Sequence, residues 1–342
     1  MNKELQEYLS SLISVDSMET LLQSVNEIGP YVSGISISDP LTMGVFMQYT
    51  ILSIRKKAYR KFCIPKKSGG VREINAPAGQ LKDILTTLAF IFSELYEPTK
   101  NAMAFTRCRS IVDNARQHNG HNYNLNLDLK DFFMNITDVD VERALTKLAL
   151  SPLVARVLAS ICTYPIIKKG TVNNVLPQGS PASPVLSNIC ATKLDVRLEG
   201  LARRFHLTYT RYADDITFSS NHMVYHNGDE FMTELFKIIE ECGFTINQKK
   251  TRLQKKGTRQ EVTGLNIGDH VNVTRRYVKT LRAIIHNIAI SETPLQHDVN
   301  VARGKLNFLR MVKGEHDSTY MNLLIKLNTA VKGKHFVYEQ TS

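Results

Sequence analysis

The sequence predicts an α+β protein, on three observations. Strand and helix patterns alternate between residues 123 and 265. A hairpin-like stretch, Phe62 to Ile74, precedes them, with Ser68-Gly69-Gly70 as the turn between two short strands. Residues 266–342, which follow, are mostly helical and basic. Strands in one block with helices packed on them are the α+β pattern.

Each element has a local reason. Residues 1–53 form a helical extension, with periodic patterns over Glu4 to Ile13 and Met18 to Ile28 and no evident chemistry. In residues 54–122 the hairpin is followed by a helix over Gln80 to Leu95. Asn124-Leu-Asn-Leu-Asp128 has a strand's period of two. Val141 to Ile161 is largely helical, with a break at Ser151-Pro152. Strand-prone residues flank Ala213-Asp214-Asp215, so the two carboxylates fall at a hairpin turn. Glu230 to Glu241 is a helix closed by Gly243 in the C-cap region, and Phe244 to Ile246 is a short strand. In Arg275 to Ile288, Val278, Leu281, Ile285 and Ile288 recur at helical spacing, with Arg275, Arg276, Lys279 and Arg282 mostly opposite.

Composition narrows the function. The 342 residues are 43% hydrophobic and 22% charged, which is globular. No apolar run approaches the roughly 18–20 residues that a membrane helix needs. Lys3, Glu4 and Glu7 make the N-terminus wrong for a secretory signal. Five scattered cysteines with no Cys-x-x-Cys pair argue against a disulfide framework or a structural zinc site. The formal charge is +11, unevenly spread. From Lys249 onward there are 17 basic residues against 7 acidic, and Arg55 to Arg72 holds eight basic residues and no acidic one. Two distant basic segments suggest a polyanion gripped from two sides. Charge alone leaves nucleic acid and an acidic membrane surface both open.

The chemistry lies in the carboxylates. Asp214 and Asp215 at a turn repel each other unless a cation compensates, and carboxylate oxygens suit Mg²⁺. Asp128 ends an apolar strand where burial stops. A two-metal phosphoryl-transfer site needs carboxylates from separate segments bracketing ions ~3.5–4 Å apart. Asp128, Asp214 and Asp215 meet that need if their strands are neighbours.

Four segments, in order, resemble the motifs of reverse transcriptases. They are Asp128 to Phe133, Leu176-Pro-Gln-Gly179, Tyr212-Ala-Asp-Asp215 and Asn247-Gln-Lys-Lys-Thr251. The likeness covers roughly residues 55–290. Asn114-Ala-Arg-Gln-His118 and Val262-Thr263-Gly264 are similar to elements of the retron type. The chain departs from that pattern at Met134-Asn135, where Pro-Ser is usual, and at Ala104-Phe105, where Gly-Phe is common.

The resemblance implies a right-hand polymerase: fingers at 54–122 with part of 134–185, a βαββ palm at 123–265, and a helical thumb at 266–342. It implies two Mg²⁺ ions, with Mn²⁺ as a substitute, on Asp128, Asp214, Asp215 and the Leu129 carbonyl. Lys66, Lys67 and Arg72 would clamp the triphosphate. Phe133 would be the sugar gate, with Gln178 and Gly179 under the incoming nucleotide. Lys250, or its neighbour Lys249, would be the general acid. Asn114, His118, Arg211, Val262, Thr263, Gly264, Arg275, Arg276, Lys279 and Arg282 are expected at the nucleic acid.

The implied activity is synthesis of single-stranded DNA from dNTPs on a cognate noncoding RNA, primed by a 2′-hydroxyl of that RNA. The setting is the bacterial cytoplasm, with an accessory effector, phage defence and a host RNase H. Other bacterial reverse transcriptases, of the intron, diversity-generating or abortive-infection type, are competing readings. So is a non-catalytic RNA-binding scaffold.

Overall fold

Alternation along Asn124-Leu125-Asn126-Leu127-Asp128 sets the architecture. In the computed structural model, which describes residues 3–337 except 37, 67–68, 169 and 227, Leu125 and Leu127 are buried in the main core. The expected Lys67, and Ser68 of the expected turn, lie outside the described residues. The chain first forms an antiparallel hairpin of β1 (Tyr59–Pro65) and β2 (Val71–Pro77). β3 (Tyr123–Asp128) opens the central sheet. A second hairpin, β4 (Tyr164–Lys168) and β5 (Thr171–Val175), stands apart from it. β6 (Thr208–Tyr212), β7 (Asp215–Ser220) and β8 (Arg252–Lys255) complete a four-stranded antiparallel sheet in the order β6-β7-β3-β8.

One face of this sheet is apolar and covered by helices. Tyr209 stacks on Phe218 with ring centroids 4.9 Å apart, and Phe218 meets Phe231 of helix Glu230–Glu241 edge-on at 5.2 Å. Helix Ser183–Arg204 backs the same core. The N-terminal helices Lys3–Ser11 and Met18–Val32 pack their Leu9, Leu21, Val25 and Ile28 into it beside helix Gly79–Leu95.

The opposite sheet face is polar. By strand alternation it carries Asn124, Asn126 and Asp128 from β3, Asp215, Thr217 and Ser219 from β7, and Thr208, Thr210 and Tyr212 from β6. Helix Ile111–Gln117 lies against β6 and against the small hairpin of β9 (Gln260–Val262) and β10 (Leu265–Ile267). Thr263 and Gly264 join β9 to β10 with φ of 48° and 81°, which is the two-residue turn that suits a hairpin.

A second hydrophobic core holds the C-terminal helices Arg275–Ile290, Gln296–Lys313 and Ser318–Val331. Val112, Ala115 and Val262 belong to this cluster, so it reaches back into the sequence well before residue 266. The Lys334 ammonium donates to the carbonyls of Ile288, Ala289 and Ser291 and so closes the end of the first of these helices. Among the described residues no helix is long and apolar enough to cross a membrane.

The helical stretch from 141 breaks at Ser151-Pro152 as expected, into helices Asp138–Lys147 and Pro152–Cys162, with Ser151 capping the second by accepting from the Val154 amide. One expectation shifts. Phe244–Ile246 is not a strand. It makes a single bridge, Ile246 to Leu129, because the chain turns at once into the short helix Gln248–Lys250.

Candidate active site

The register of the central sheet brings the carboxylates together. Asp128, last in β3, pairs with Asp215, first in β7, and Asp215 also pairs with Tyr212 across the Ala213-Asp214 turn. Ala213 takes φ 57°, a left-handed conformation that the tight turn imposes on a non-glycine residue. The Leu129 amide donates to the Asp214 carbonyl at 2.8 Å, tying the turn to the end of β3.

Arg211 holds the turn from behind. It is fully buried, with Nε and Nη2 each 2.7 Å from the Asp195 carboxylate and Nη1 donating to the Ala213 carbonyl at 3.1 Å. A guanidinium sealed in this pair has no surface to offer, so the expectation that Arg211 touches nucleic acid is corrected. Its role is internal.

Like charges and burial perturb the acids. The Asp214 carboxyl is raised above its ordinary value, first by burial and then by the Asp128 charge. Asp215 reaches solvent, yet the protein around it and the charges of Asp214 and Asp128 push it up to about 6. Lys250 and Arg72 partly offset this at Asp214, and Lys250 and Arg252 at Asp215. Asp128 is engaged by Lys250 Nζ at 2.6 Å and Asn247 Nδ2 at 3.0 Å. Of the two candidate lysines, Lys250 carries its ammonium to the carboxylates.

This oxygen-only donor set with an excess of negative charge fits a hard divalent cation. In this conformation no three acidic, His or Cys side chains among the described residues converge as a finished cage. Asp128 and Asp214 line one cavity and Asp215 a neighbouring one.

A cavity of about 930 Å³ opens on Asp128, Leu129, Asp214 and Lys250. Its other walls include Lys66 and Arg72 from the β1–β2 hairpin, Phe133, and Gln178 and Gly179. Phe133 is half-buried and touches Phe105 and Phe132, while Phe132 is the ring that fills the core, stacked on Phe244. Gly179 adopts φ 119°, and a Cβ there would meet Ile74 Cγ2 at 2.7 Å and the Asn75 carbonyl at 3.0 Å. The close approach that demands glycine is therefore to β2, which is also tied down by the Asn75 amide donating to the Gln178 carbonyl at 2.8 Å. A smaller cavity of about 240 Å³ lies across the turn, lined by Tyr212, Asp215, Arg252, Thr263 and Gly264 among others.

The reverse transcriptase (RNA-dependent DNA polymerase) family matches residues 64–267. The retron Ec86 reverse transcriptase of Escherichia coli is 33% identical over 281 residues, covering 82% of this chain and 81% of that one. The chain belongs to the retron-type reverse transcriptases. The retron Mx65 reverse transcriptase of Myxococcus xanthus is 34% identical over 287 residues, which span 80% of this chain and 66% of the relative. Telomerase from Candida albicans in complex with a fragment of telomeric RNA aligns with 91% of this chain and 68% of its own at 11% identity, with a TM-score of 0.44. Enzymes of this family are RNA-directed DNA polymerases, and as a family they use divalent metal ions.

Other residues of this reverse transcriptase that were expected at nucleic acid divide in two. Arg275, Arg276, Lys279 and Arg282 are exposed on helix Arg275–Ile290, whose Leu281, Ile285 and Ile288 face inward. Thr263 and Gly264 sit at the β9–β10 turn with some surface open. Asn114, His118 and Val262 are buried, and the direct contact expected of them is corrected. Val262 packs in the C-terminal core, while Asn114 and His118 hydrogen-bond to the polar face of the sheet. The spacing of a motif reports that residues matter together; it does not report which way they face.

Proposed function

We propose that this enzyme copies part of a cognate structured noncoding RNA into single-stranded DNA, starting from a 2′-hydroxyl of that RNA. The observation that carries the polymerase part is the 930 Å³ cavity. It places carboxylates, a lysine, two hairpin cations and an aromatic ring around one space. The retron part is supported by the relatives and by the Asn114–His118 and Val262–Gly264 elements.

Each wall of the cavity, with Asp215 across the turn from it, has a task in this reading. Asp128, Asp214, Asp215 and the Leu129 carbonyl would hold two Mg²⁺ ions, with Mn²⁺ able to replace them. Bound there, the ions supply activation of the primer hydroxyl and neutralisation of charge on the triphosphate. Arg72 and Lys66 bind phosphate oxygens from the hairpin, Arg72 by its planar fork. Phe133 lies where a ribose 2′-hydroxyl would collide. Gln178 and Gly179 form the floor. Lys250 delivers a proton to the departing pyrophosphate. Fingers at 54–122 with part of 134–185, palm at 123–265 and thumb at 266–342 are the assigned parts. The thumb presents Arg275, Arg276, Lys279 and Arg282 to phosphates, where Thr263 and Gly264 face the primer strand.

The same reading assigns a bacterial cytoplasmic setting. An accessory effector in phage defence and a host RNase H that trims the template belong to it. The test is expression with flanking genomic DNA, followed by extraction of small nucleic acids. A discrete RNA-linked DNA that is sensitive to debranching and absent from Asp214→Ala supports it. Extension of an annealed primer on arbitrary RNA, with no linked product, overturns the retron priming but keeps the polymerase.

A further inference from the structure

The polar face of the palm sheet contains a hydrogen-bond chain that runs from one strand of the catalytic hairpin to the other and on to the β9–β10 turn. His118 is its centre. Its Nε2 lies 2.7 Å from Thr210 Oγ1 in β6, and its Nδ1 lies 2.8 Å from Ser219 Oγ in β7. Thr210 Oγ1 also stands 2.6 Å from Asn114 Oδ1. Asn114 Nδ2 is 3.4 Å from Thr263 Oγ1, which in turn reaches the Ile111 carbonyl at 3.3 Å.

Counting protons gives the chain a direction. A hydroxyl has one hydrogen, and Thr210 uses it on the amide oxygen of Asn114. Thr210 must then accept from His118, so Nε2 carries the ring proton. Nδ1 is left with its lone pair, and Ser219 must donate to it. Every group from Ser219 through His118, Thr210, Asn114 and Thr263 to the Ile111 carbonyl thus has one defined role. The ring is fully buried and stays neutral, its pKa pushed down to about 3 by burial and by His121.

The chain is anchored at matching places. Ser219 is four residues after Asp215 and Thr210 four before Asp214, with side chains of Ser219 and Asp215 on the same sheet face. Beside it, Thr217 donates to Asn126 Oδ1 at 3.1 Å, which ties β7 to the strand that ends in Asp128. A shift of β6 against β7 would change the turn between them, and the imidazole is a side-chain bridge that resists such a shift on the polar face, as the Tyr209–Phe218 stack does on the apolar one.

We propose that His118 is a positioning residue: by bridging Ser219 and Thr210 it fixes the offset of the two strands that carry Asp214 and Asp215, and so the spacing at which those carboxylates meet a divalent cation. This rests on the reading of the three aspartates as metal ligands. Hydrogen bonds to metal ligands alter metal affinity without touching the ion, and this chain acts one step further out, through the strands that carry those ligands.

The experiment compares wild type with Thr210→Val, Ser219→Ala and His118→Gln in the full chain. It measures Mn²⁺ binding to the protein by electron paramagnetic resonance without nucleotide, and the free Mg²⁺ giving half-maximal single-nucleotide incorporation on an annealed RNA template, with active sites titrated by burst amplitude. Thr210→Val preserves shape and Ser219→Ala is small, so folded protein is available even where a histidine variant is not. The midpoint rises about three- to tenfold in each of these two, and the double variant is no worse than the poorer single one. His118→Gln, which keeps one donor and one acceptor, falls between wild type and those variants. RNA affinity is unchanged throughout. Midpoints equal to wild type, with losses confined to the active fraction or to RNA affinity, overturn the inference and leave His118 a packing residue of the sheet. A wild type with no need of a divalent cation overturns the underlying reading as well.

Discussion

The Lys250 ammonium stands 2.6 Å from Oδ2 of Asp128, with half of its side chain still open to the 930 Å³ cavity. The ion pair makes Lys250 hold its proton more tightly, the hydrogen bond to Asp128 being the main cause. Lys249 next to it is exposed and outside that cavity. Lys250→Met is therefore expected to lower the rate of nucleotide incorporation about a hundredfold, the ordinary contribution of a placed general acid. Lys249→Met should leave it nearly unchanged. Single-turnover kinetics decide this, and equal losses would contradict the assignment.

Arg211 and Asp195 form a pair with no solvent access, and the same guanidinium holds the Ala213 carbonyl of the β6–β7 turn. Removing one partner leaves a buried charge without compensation. Arg211→Ala is expected to cost about 3–5 kcal/mol of folding stability. Urea unfolding measures it, and the loss should persist in high salt, since a buried pair is poorly screened. A loss under about 1 kcal/mol would mean that water reaches the pair.

His118 predicts a pH dependence of stability. In the unfolded chain its pKa is about 6.5, and in the fold it is pushed down to about 3. Between those values the unfolded state binds a proton that the folded state refuses, so stability falls as pH drops below 6.5 and is flat above it on this account. The slope is about 1.4 kcal/mol per pH unit in the middle of that window. His118→Gln should remove this component, as seen in the difference between the two unfolding profiles from pH 7 to 5. Parallel profiles would contradict the buried neutral ring.

Gly179 predicts a graded effect on nucleotide binding. A methyl group there collides with Ile74 and the Asn75 carbonyl at a positive φ, so β2 must move. Arg72 lies on that strand. Gly179→Ala should raise the KM for dNTP about tenfold with a smaller change in kcat, the mark of a displaced binding group. An unchanged KM would detach Arg72 from the nucleotide.

Phe133 sits on the cavity wall while Phe132 fills the core. Phe133→Ala should admit ribonucleotides, raising their incorporation relative to dNTPs by about tenfold or more. Stability should change far less than for Phe132→Ala, which is expected to cost about 3–5 kcal/mol. Selectivity that stays fixed would remove Phe133 from the sugar.

The readable features were those whose chemistry is local. Asp128 ends a strand of period two, and Asp214 and Asp215 mark a hairpin turn, so their elements could be derived from neighbouring residues. Arg211 was opaque because its partner Asp195 lies on helix Ser183–Arg204, in another element. That helix itself lacks a simple apolar stripe, since Ser183, Ser187, Asn188 and Asp195 are buried to serve polar contacts. The burial of Asn114 and His118, expected at the nucleic acid, was hidden for a similar reason. Their partners Thr210, Ser219 and Thr263 come from three distant strands and turns, and only the folded sheet supplies a polar interior for them.

The most direct measurement is extension of an annealed DNA primer on an RNA template by the purified full chain, with dNTPs and Mg²⁺, beside Asp128→Asn and Asp214→Asn. Wild type is expected to make RNA-templated DNA until the cation is chelated, with both variants folded yet reduced at least about a thousandfold. Synthesis that survives in Asp214→Asn, or a wild type that binds RNA and makes no DNA under any divalent cation, would contradict that expectation.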